Sequence, residues 1–322
     1  MKSKIVSIVE DASFRTFYRL TLNKNSKIIV YAQKEKYKNL IAYSAINQFL
    51  RHNKILTPKL YTHNYKKGLI VIEDFGDLSF HDVLLKQKNK FRTYKKLVDL
   101  LLKIQKIKPK PRIKNIVGKS YLINKYSIKY LHKESDLFFD WYLPLLLNKK
   151  KVFNIKKKAK KILSLLYKRL NFSNSHFVHR DYHVQNLMKI GKKIGVIDSQ
   201  DALIGNPAYD LVSLIDDVRI KNSKKLKNKI YNYYLKKAPK ICRVNSQEFL
   251  EDFNILSVQR SLKIIGIFSR LFKRDNKNQY LKFIPYTWQL LEMRMHSEIF
   301  SELKKILDMH IPKKIRKKII SK

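Results

Sequence analysis

The chain has 322 residues, of which 70 are Lys or Arg and 25 are Asp or Glu, a formal net charge of +45. Hydrophobic residues make up 44% and aromatics 12%, enough apolar surface for a folded core, which excludes a disordered chain despite the charge. Of the 70 basic residues 56 are Lys and 14 are Arg, spread along the whole length, a pattern that argues against a specific nucleic-acid partner, for which clustered Arg is the usual tool.

The first residues, MKSKIVSIVEDASF, hold an apolar stretch too short for a secretory signal, and Glu10 interrupts it. Ile5–Val9, Phe14–Leu20 and Ile28–Ala32 are short apolar or β-branched runs separated by polar turns, and they predict strands. A helix follows, with Leu40, Ile41, Ala45, Phe49 and Leu50 on one face. Lys59–Tyr61 and Leu69–Ile72 predict two more strands, split by a turn over His63–Gly68. The period then changes at Glu73–Asp77 (EDFGD), which reads as a connector. Beyond it the pattern is helical. Tyr94, Leu97, Leu101 and Ile104 mark one helix, ended by Pro109 and Pro111. Ile128, Leu131, Phe138, Phe139 and Tyr142 mark another, stopped near Pro144. Ala159, Ile162, Leu163, Leu166 and Leu170 mark a third, and Phe249, Phe253, Leu256, Ile264 and Ile267 a long fourth. The lysine runs at 149–151, 156–158 and in the tail from 313 to 322 read as solvated faces. No apolar run approaches the ~18 residues of a membrane span, so no membrane insertion is expected. The lone Cys242 excludes a disulfide framework. A cytoplasmic, monomeric protein is expected. The fold class predicted is α+β and bilobal: a small N-terminal antiparallel sheet lobe over residues 1–75, and a larger, mainly helical lobe over 76–322.

The exception to the helical run is Phe177–Asp210. Three of the seven glycines, Gly191, Gly195 and Gly205, fall there, which points to backbone positions of special geometry. The stretch reads His179-Arg180-Asp181-Tyr182-His183-Val184-Gln185-Asn186, then Ile194–Ile197 and Asp198. This is the H-R-D-x-x-x-x-N arrangement of a phosphotransferase catalytic loop, followed by an aspartate after an apolar strand. Phosphoryl transfer needs an acceptor hydroxyl held in line with the γ-phosphate of ATP, and Asp181 would orient it and accept its proton. The amide oxygen of Asn186 and the carboxylate of Asp198 are hard oxygen ligands suited to Mg²⁺. A hairpin over Met188–Ile197, turning at Gly191, would bring those two ligands to one end of two paired strands. The rival reading of His179 and His183 as an i,i+4 zinc pair fails: Arg180 stands where a zinc protease has its Glu, and no third ligand follows.

At these residues the sequence resembles the aminoglycoside phosphotransferase/choline kinase-like superfamily. Within it, the chain is similar to the bacterial sugar kinases that phosphorylate N-acetylmuramate and N-acetylglucosamine at the anomeric hydroxyl. The resemblance extends over Asp11–Arg19, Glu73–Asp77, Val178–Met188, Val196–Asp217, Gln259–Arg270 and Tyr280–Pro285. It implies a protein-kinase-like fold that uses ATP and Mg²⁺, with Asp181 as catalytic base and Asn186 and Asp198 as metal ligands. Asp11, Ser13, Phe14 and Arg15 would cover the ATP phosphates, and Glu73 would join the nucleotide site at the connector. Asp210 would anchor the helix behind the catalytic loop. Gln200 and Asp201, with Arg180 and Arg260, are candidate contacts to the sugar.

Three departures stand out. Ser199 takes the place of a bulky residue after the metal aspartate, which would loosen the packing that aims Asp198. Glu10 stands where Gly is common. No lysine in Ile28–Ala32 matches the phosphate-pairing lysine of kinases; Lys34 and Lys36 lie just beyond, and Arg15 or Arg19 could serve instead. The function implied is an ATP- and Mg²⁺-dependent phosphotransferase acting on an amino sugar in cell-wall recycling. The alternatives are a kinase of another alcohol, such as an aminoglycoside or choline, and a non-catalytic pseudokinase or polyanion binder. The high positive charge favours a neutral or anionic acceptor over a cationic one.

Overall fold

The computed structural model describes residues 3–8, 15–23, 25–32, 36–114, 118 and 120–319. They form two compact units, one within Met1–Asn124 and His176–Ile204, the other within Lys125–Ser175 and Gly205–Lys322. Packing therefore groups the segment around the Asp181 loop with the N-terminal sheet.

The first unit is built on a five-stranded antiparallel sheet of β1 (Ser3–Ile8), β2 (Arg15–Leu22), β3 (Asn25–Ala32), β4 (Leu60–Asn64) and β5 (Leu69–Glu73), in the order β1-β2-β3-β5-β4. The two-residue period of β3 buries Ile28, Val30 and Ala32 and leaves Lys27, Ile29 and Tyr31 on the other face. The buried face packs with Ile70 and Ile72 of β5 against Leu40, Ile41 and Tyr43 of α1 (Lys36–His52), the helix between β3 and β4. Strand β4 continues through His63 and Asn64, where a turn was expected; it is an edge strand with most residues exposed, so it carries no alternation for the sequence to reveal. The turn is confined to Tyr65–Gly68, with Gly68 at φ +74°.

After the connector come α2 (Phe80–Leu85), α3 (Lys90–Gln105) and a short ribbon of β6 (Arg112–Lys114) and β7 (Ser120–Leu122). Ser79 and Asp82 close a reciprocal capping box at the start of α2. Strand β8 (His176–Val178) re-enters the unit, followed by the hairpin β9 (Leu187–Ile190) and β10 (Lys193–Val196).

The second unit is helical: α4 (Ile128–Leu137), α5 (Lys149–Lys168), α6 (Ala208–Ile215), α7 (Lys224–Lys237), α8 (Lys240–Val244), α9 (Ser246–Asp275), α10 (Ile284–Arg294), α11 (Ser301–His310) and α12 (Lys313–Arg316). The 30-residue α9 is buried around most of its circumference. At Gly266 an added Cβ would lie 2.3 Å from the carbonyl carbon of Leu137, so only glycine lets α9 cross the end of α4 this closely. Trp288 is core, with its indole N–H donating to the Tyr142 hydroxyl at 3.0 Å. On α5, Ile155, Ala159, Leu163 and Leu166 face inward while Lys149–Lys151, Lys157 and Lys158 are exposed, the solvated face expected.

Three buried carboxylates tie this unit together. Glu134 on α4 meets Lys263 (2.9 Å) and Gln259 (3.0 Å) of α9. Asp216 accepts from Lys227 (2.9 Å), Ser257 (2.8 Å) and both sides of the Arg294 fork (2.9 and 3.0 Å). Burial alone would raise the Asp216 pKa, but the Lys227 and Arg294 charges hold it well below the usual carboxylate range. Asp252 accepts the backbone N–H groups of Asn171 (2.8 Å) and Phe172 (2.9 Å) and the amide of Asn206 (2.6 Å); burial still pushes its pKa up.

Candidate active site

The hairpin β9–β10 sets the frame. Leu187 pairs with Val196 at its open end, and one step further the Ile197 N–H donates to the Asn186 carbonyl at 3.0 Å. Asn186 and Asp198 therefore leave the same end of the ribbon, as the sequence predicts. Gly191 turns the ribbon at φ +56°. Gly195 has another cause: a Cβ there would sit 2.6 Å from the Phe75 ring, so the glycine lets the connector lie on the hairpin.

The loop from His179 to Asn186 is fixed from within. The His183 N–H donates to the Asp181 carbonyl (2.9 Å) and the Asn186 N–H to the His183 carbonyl (3.0 Å). Below the loop, Tyr182 is fully buried and its hydroxyl donates to the Leu97 carbonyl at 2.9 Å, a packing role. A ring nitrogen of His179, Nε2, meets the Ile197 carbonyl at 3.0 Å, tying the loop to the end of β10. Arg180 reaches across to the Asp201 carbonyl at 3.0 Å. Arg180 and Asp198 both adopt left-handed backbone, at φ +73° and +64°. Non-glycine residues in that region cost about 1–3 kcal/mol and persist where the surroundings over-determine them, often at functional sites.

Asp198 is held at one oxygen. Its Oδ1 accepts from Arg15 Nη2 at 2.8 Å and from Gln200 Nε2 at 3.1 Å, which leaves Oδ2 for a ligand. The Asn186 side chain donates from Nδ2 to the Asp181 carbonyl at 3.0 Å, so its Oδ1 is the atom that could meet a metal. Two hard oxygens at one ribbon end suit Mg²⁺, which takes one or two protein ligands and completes its shell with water and phosphate. Among the described residues no group of three or more His, Cys, Asp or Glu could hold a metal alone. Ser199, expected to loosen this region, does not: it is fully buried and its hydroxyl donates to the Asn47 side-chain oxygen of α1 at 2.7 Å. A small polar residue replaces apolar packing with a directed bond.

The connector is anchored from β2. The Arg19 guanidinium meets Asp74 (2.6 and 3.0 Å) and Asp77 (2.9 and 2.9 Å), and Gly76, at φ +75°, donates its N–H to Asp74. Burial alone would raise the Asp74 carboxyl, yet these hydrogen bonds hold it below its ordinary range. Glu73 ends β5 with its carboxylate accepting the Lys59 N–H at 3.0 Å and lying 3.6 Å from Arg51.

Of the residues expected at the site, the first unit brings together Arg15, Arg180, Asp181, Asn186, Asp198, Gln200 and Asp201, with Glu73 at the connector. Asp11, Ser13, Phe14, Glu10 and Lys34 lie outside the described residues. Arg260 and Asp210 belong to the second unit. Arg260 is buried on α9 with its guanidinium 5.7 Å from the Tyr209 ring centre, and Asp210 is fully buried in the first turn of α6. Sequence reasoning missed Asn47 and Tyr43 of α1; Tyr43 lies under the Arg15 guanidinium at 6.0 Å, and burial pushes its hydroxyl up to about 12. Neither has a local signal: Ser199, the partner of Asn47, lies 152 positions away, and Arg15, the partner of Tyr43, is on another element, β2.

Residues 4–242 match the phosphotransferase enzyme family. An N-acetylmuramate/N-acetylglucosamine kinase of Pseudomonas aeruginosa is 28% identical over 293 residues, covering 90% of this chain and 83% of the relative. The enzyme of the same name from Caulobacter vibrioides is 27% identical over 281 residues, covering 86% and 76%. Among solved structures, an ethanolamine kinase of Plasmodium vivax superposes with a TM-score of 0.63 at 12% identity, covering 93% of this chain and 84% of that one. A spectinomycin phosphotransferase in complex with ADP and spectinomycin gives 0.61 at 14%, covering 92% and 93%. These likenesses carry the protein-kinase-like fold.

Proposed function

Given that the chain belongs to the phosphotransferase enzyme family and is an ATP-dependent kinase, we propose that it phosphorylates the anomeric hydroxyl of N-acetylmuramate or N-acetylglucosamine. The observation that carries this is the convergence of Asp181, Asn186 and Asp198 at the hairpin end, joined to relatives of that name over most of the chain. The charge balance of +45 adds to it, since an anionic or neutral sugar enters such a field more readily than a polycation.

Asp181 orients the sugar hydroxyl and takes its proton as the oxygen attacks the γ-phosphorus. The O–P bond to the sugar forms, the bond from γ-phosphorus to the bridging oxygen breaks, and ADP leaves with that oxygen. Asn186 and Asp198, with side-chain oxygens at one end of the ribbon, would hold Mg²⁺. When bound, the ion neutralises charge on the transferring phosphates. Asp11, Ser13, Phe14 and Arg15, with Glu73 at the connector, bind the nucleotide. Arg180, Gln200 and Asp201 contact the sugar. In this assignment residues 1–75 are the nucleotide-binding lobe and 76–322 carry the catalytic loop and acceptor site.

The test is ADP release by the purified chain with ATP, Mg²⁺ and each of four acceptors: N-acetylmuramate, N-acetylglucosamine, an aminoglycoside and choline. Release stimulated by the two amino sugars supports the assignment. Stimulation only by the cationic alcohols overturns it in favour of another kinase of the same fold.

A further inference from the structure

A kinase site needs a cation against the nucleotide's phosphates, ordinarily a lysine on the third strand paired with a glutamate on the following helix. Among the described residues of β3 and α1 neither is in place. The one lysine of β3, Lys27, falls on the outward face, where its ammonium lies 4.7 Å from the Tyr61 ring centre. Helix α1, KYKNLIAYSAINQFLRH, contains no acidic residue. Arg19 directs its fork at Asp74 and Asp77 of the connector.

Arg15 differs. It begins β2 directly opposite Ala32, the last residue of β3, and opposite residues of an antiparallel pair project from the same face. That face is the buried one. Ala32 is 0% exposed and leaves room for a long neighbour, and Arg15 itself is 5% exposed, with its guanidinium near the rings of Phe17 (5.7 Å) and Tyr43 (6.0 Å). Its Nη2 is 2.8 Å from Asp198 Oδ1. A lysine grown from position 32 would occupy the same space.

We propose that the phosphate-binding cation of this enzyme has moved across the sheet. Arg15 on β2 takes the place of a β3 lysine, binds the nucleotide's phosphates, and uses Asp198 instead of a helix glutamate as its carboxylate partner. The planar fork suits this double duty, because a guanidinium presents several N–H donors in a fixed geometry that matches both carboxylate and phosphate, which a single ammonium does less well. Helix α1 keeps its tie to the site through the Asn47–Ser199 bond. The inference rests on the kinase reading and adds to it the identity of the cation.

Calorimetric titration of the full chain with ATP and with adenosine, each in Mg²⁺ and in EDTA, tests it. Arg15→Met should weaken ATP binding roughly 10- to 100-fold, as loss of a charge-assisted contact does, in both media, and leave adenosine binding within about 3-fold. Adding Ala32→Lys to Arg15→Met should recover part of the ATP affinity. Where Arg15→Met does not fold, Arg15→Gln, which removes the charge but keeps a polar side chain, gives the same comparison. ATP affinity unchanged in the variant overturns the inference, as does a loss seen only with Mg²⁺, which would make Arg15 a positioning residue for Asp198 alone. Equal losses for ATP and adenosine also overturn it. A wild-type chain that binds neither ligand overturns the kinase reading itself.

Discussion

Asp181 is where the chemistry is most exposed to test. Its backbone carbonyl is engaged by His183 and Asn186, two ties that the isosteric Asp181→Asn leaves in place. Asp181→Asn should therefore fold like the wild type and retain nucleotide binding, while losing about 10²–10⁴ in turnover, the usual worth of a general base. A steady-state assay beside a thermal melt checks both halves; full activity in the variant would remove Asp181 from the proton path. At this scale the sequence was informative about the reactive groups and silent about their supports. Asp181, Asn186 and Asp198 share one short segment with fixed spacings, so they can be read together. Arg15 and Asn47 reach the same site from 183 and 152 residues away, and no local pattern encodes such a contact. Ser199 shows the consequence: read without Asn47 it suggests a loose site, and with Asn47 it is a tie.

Among the elements, those with strong periodicity were legible. The strands at 3–8, 15–22, 25–32 and 69–73 and the helices α1, α3, α5 and α9 lie where alternation or a 3.6-residue period places them. The edge strand β4 carries no full-length alternation, because neither of its faces is consistently buried. The helices α7, α10 and α11 were not identified at all. Lysine and asparagine fill the exposed positions of α7 and leave only Ile230 and Tyr234, with the stem of Lys227, buried on its inner face. The crossing at Gly266 is an element-scale claim with a direct test. Gly266→Ala places a Cβ against Leu137 backbone atoms that cannot rotate away, so helix α9 must shift, at a cost of about 1–3 kcal/mol or more. Urea unfolding measures it; a variant as stable as the wild type would show that the crossing has room to spare.

For the whole molecule the central physical fact is an excess of positive charge, and the buried acids are arranged around it. In the helical unit Asp216 neutralises two buried cations, Lys227 and Arg294. Replacing it by Asn leaves both charges facing each other away from water, which should cost about 3–5 kcal/mol near neutral pH. The sign with pH follows from linkage. The folded state keeps Asp216 ionised below the pH at which the unfolded chain protonates it, so the unfolded state binds more protons in that interval. The stabilisation is complete above the ordinary carboxylate range and is lost as pH falls through and below it. The gap in unfolding free energy between wild type and Asp216→Asn should thus be widest near pH 7 and shrink below about pH 4. A gap that stays constant through acid would assign the effect to packing instead of charge.

The account stands or falls on where the phosphoryl group goes. Phosphorus-31 NMR of the product made from ATP, Mg²⁺ and N-acetylmuramate or N-acetylglucosamine reads this directly. The expected result is a sugar phosphate whose phosphorus couples to the anomeric proton, absent with Asp181→Asn. Phosphate on another hydroxyl, or ADP and inorganic phosphate with no sugar phosphate, would contradict it.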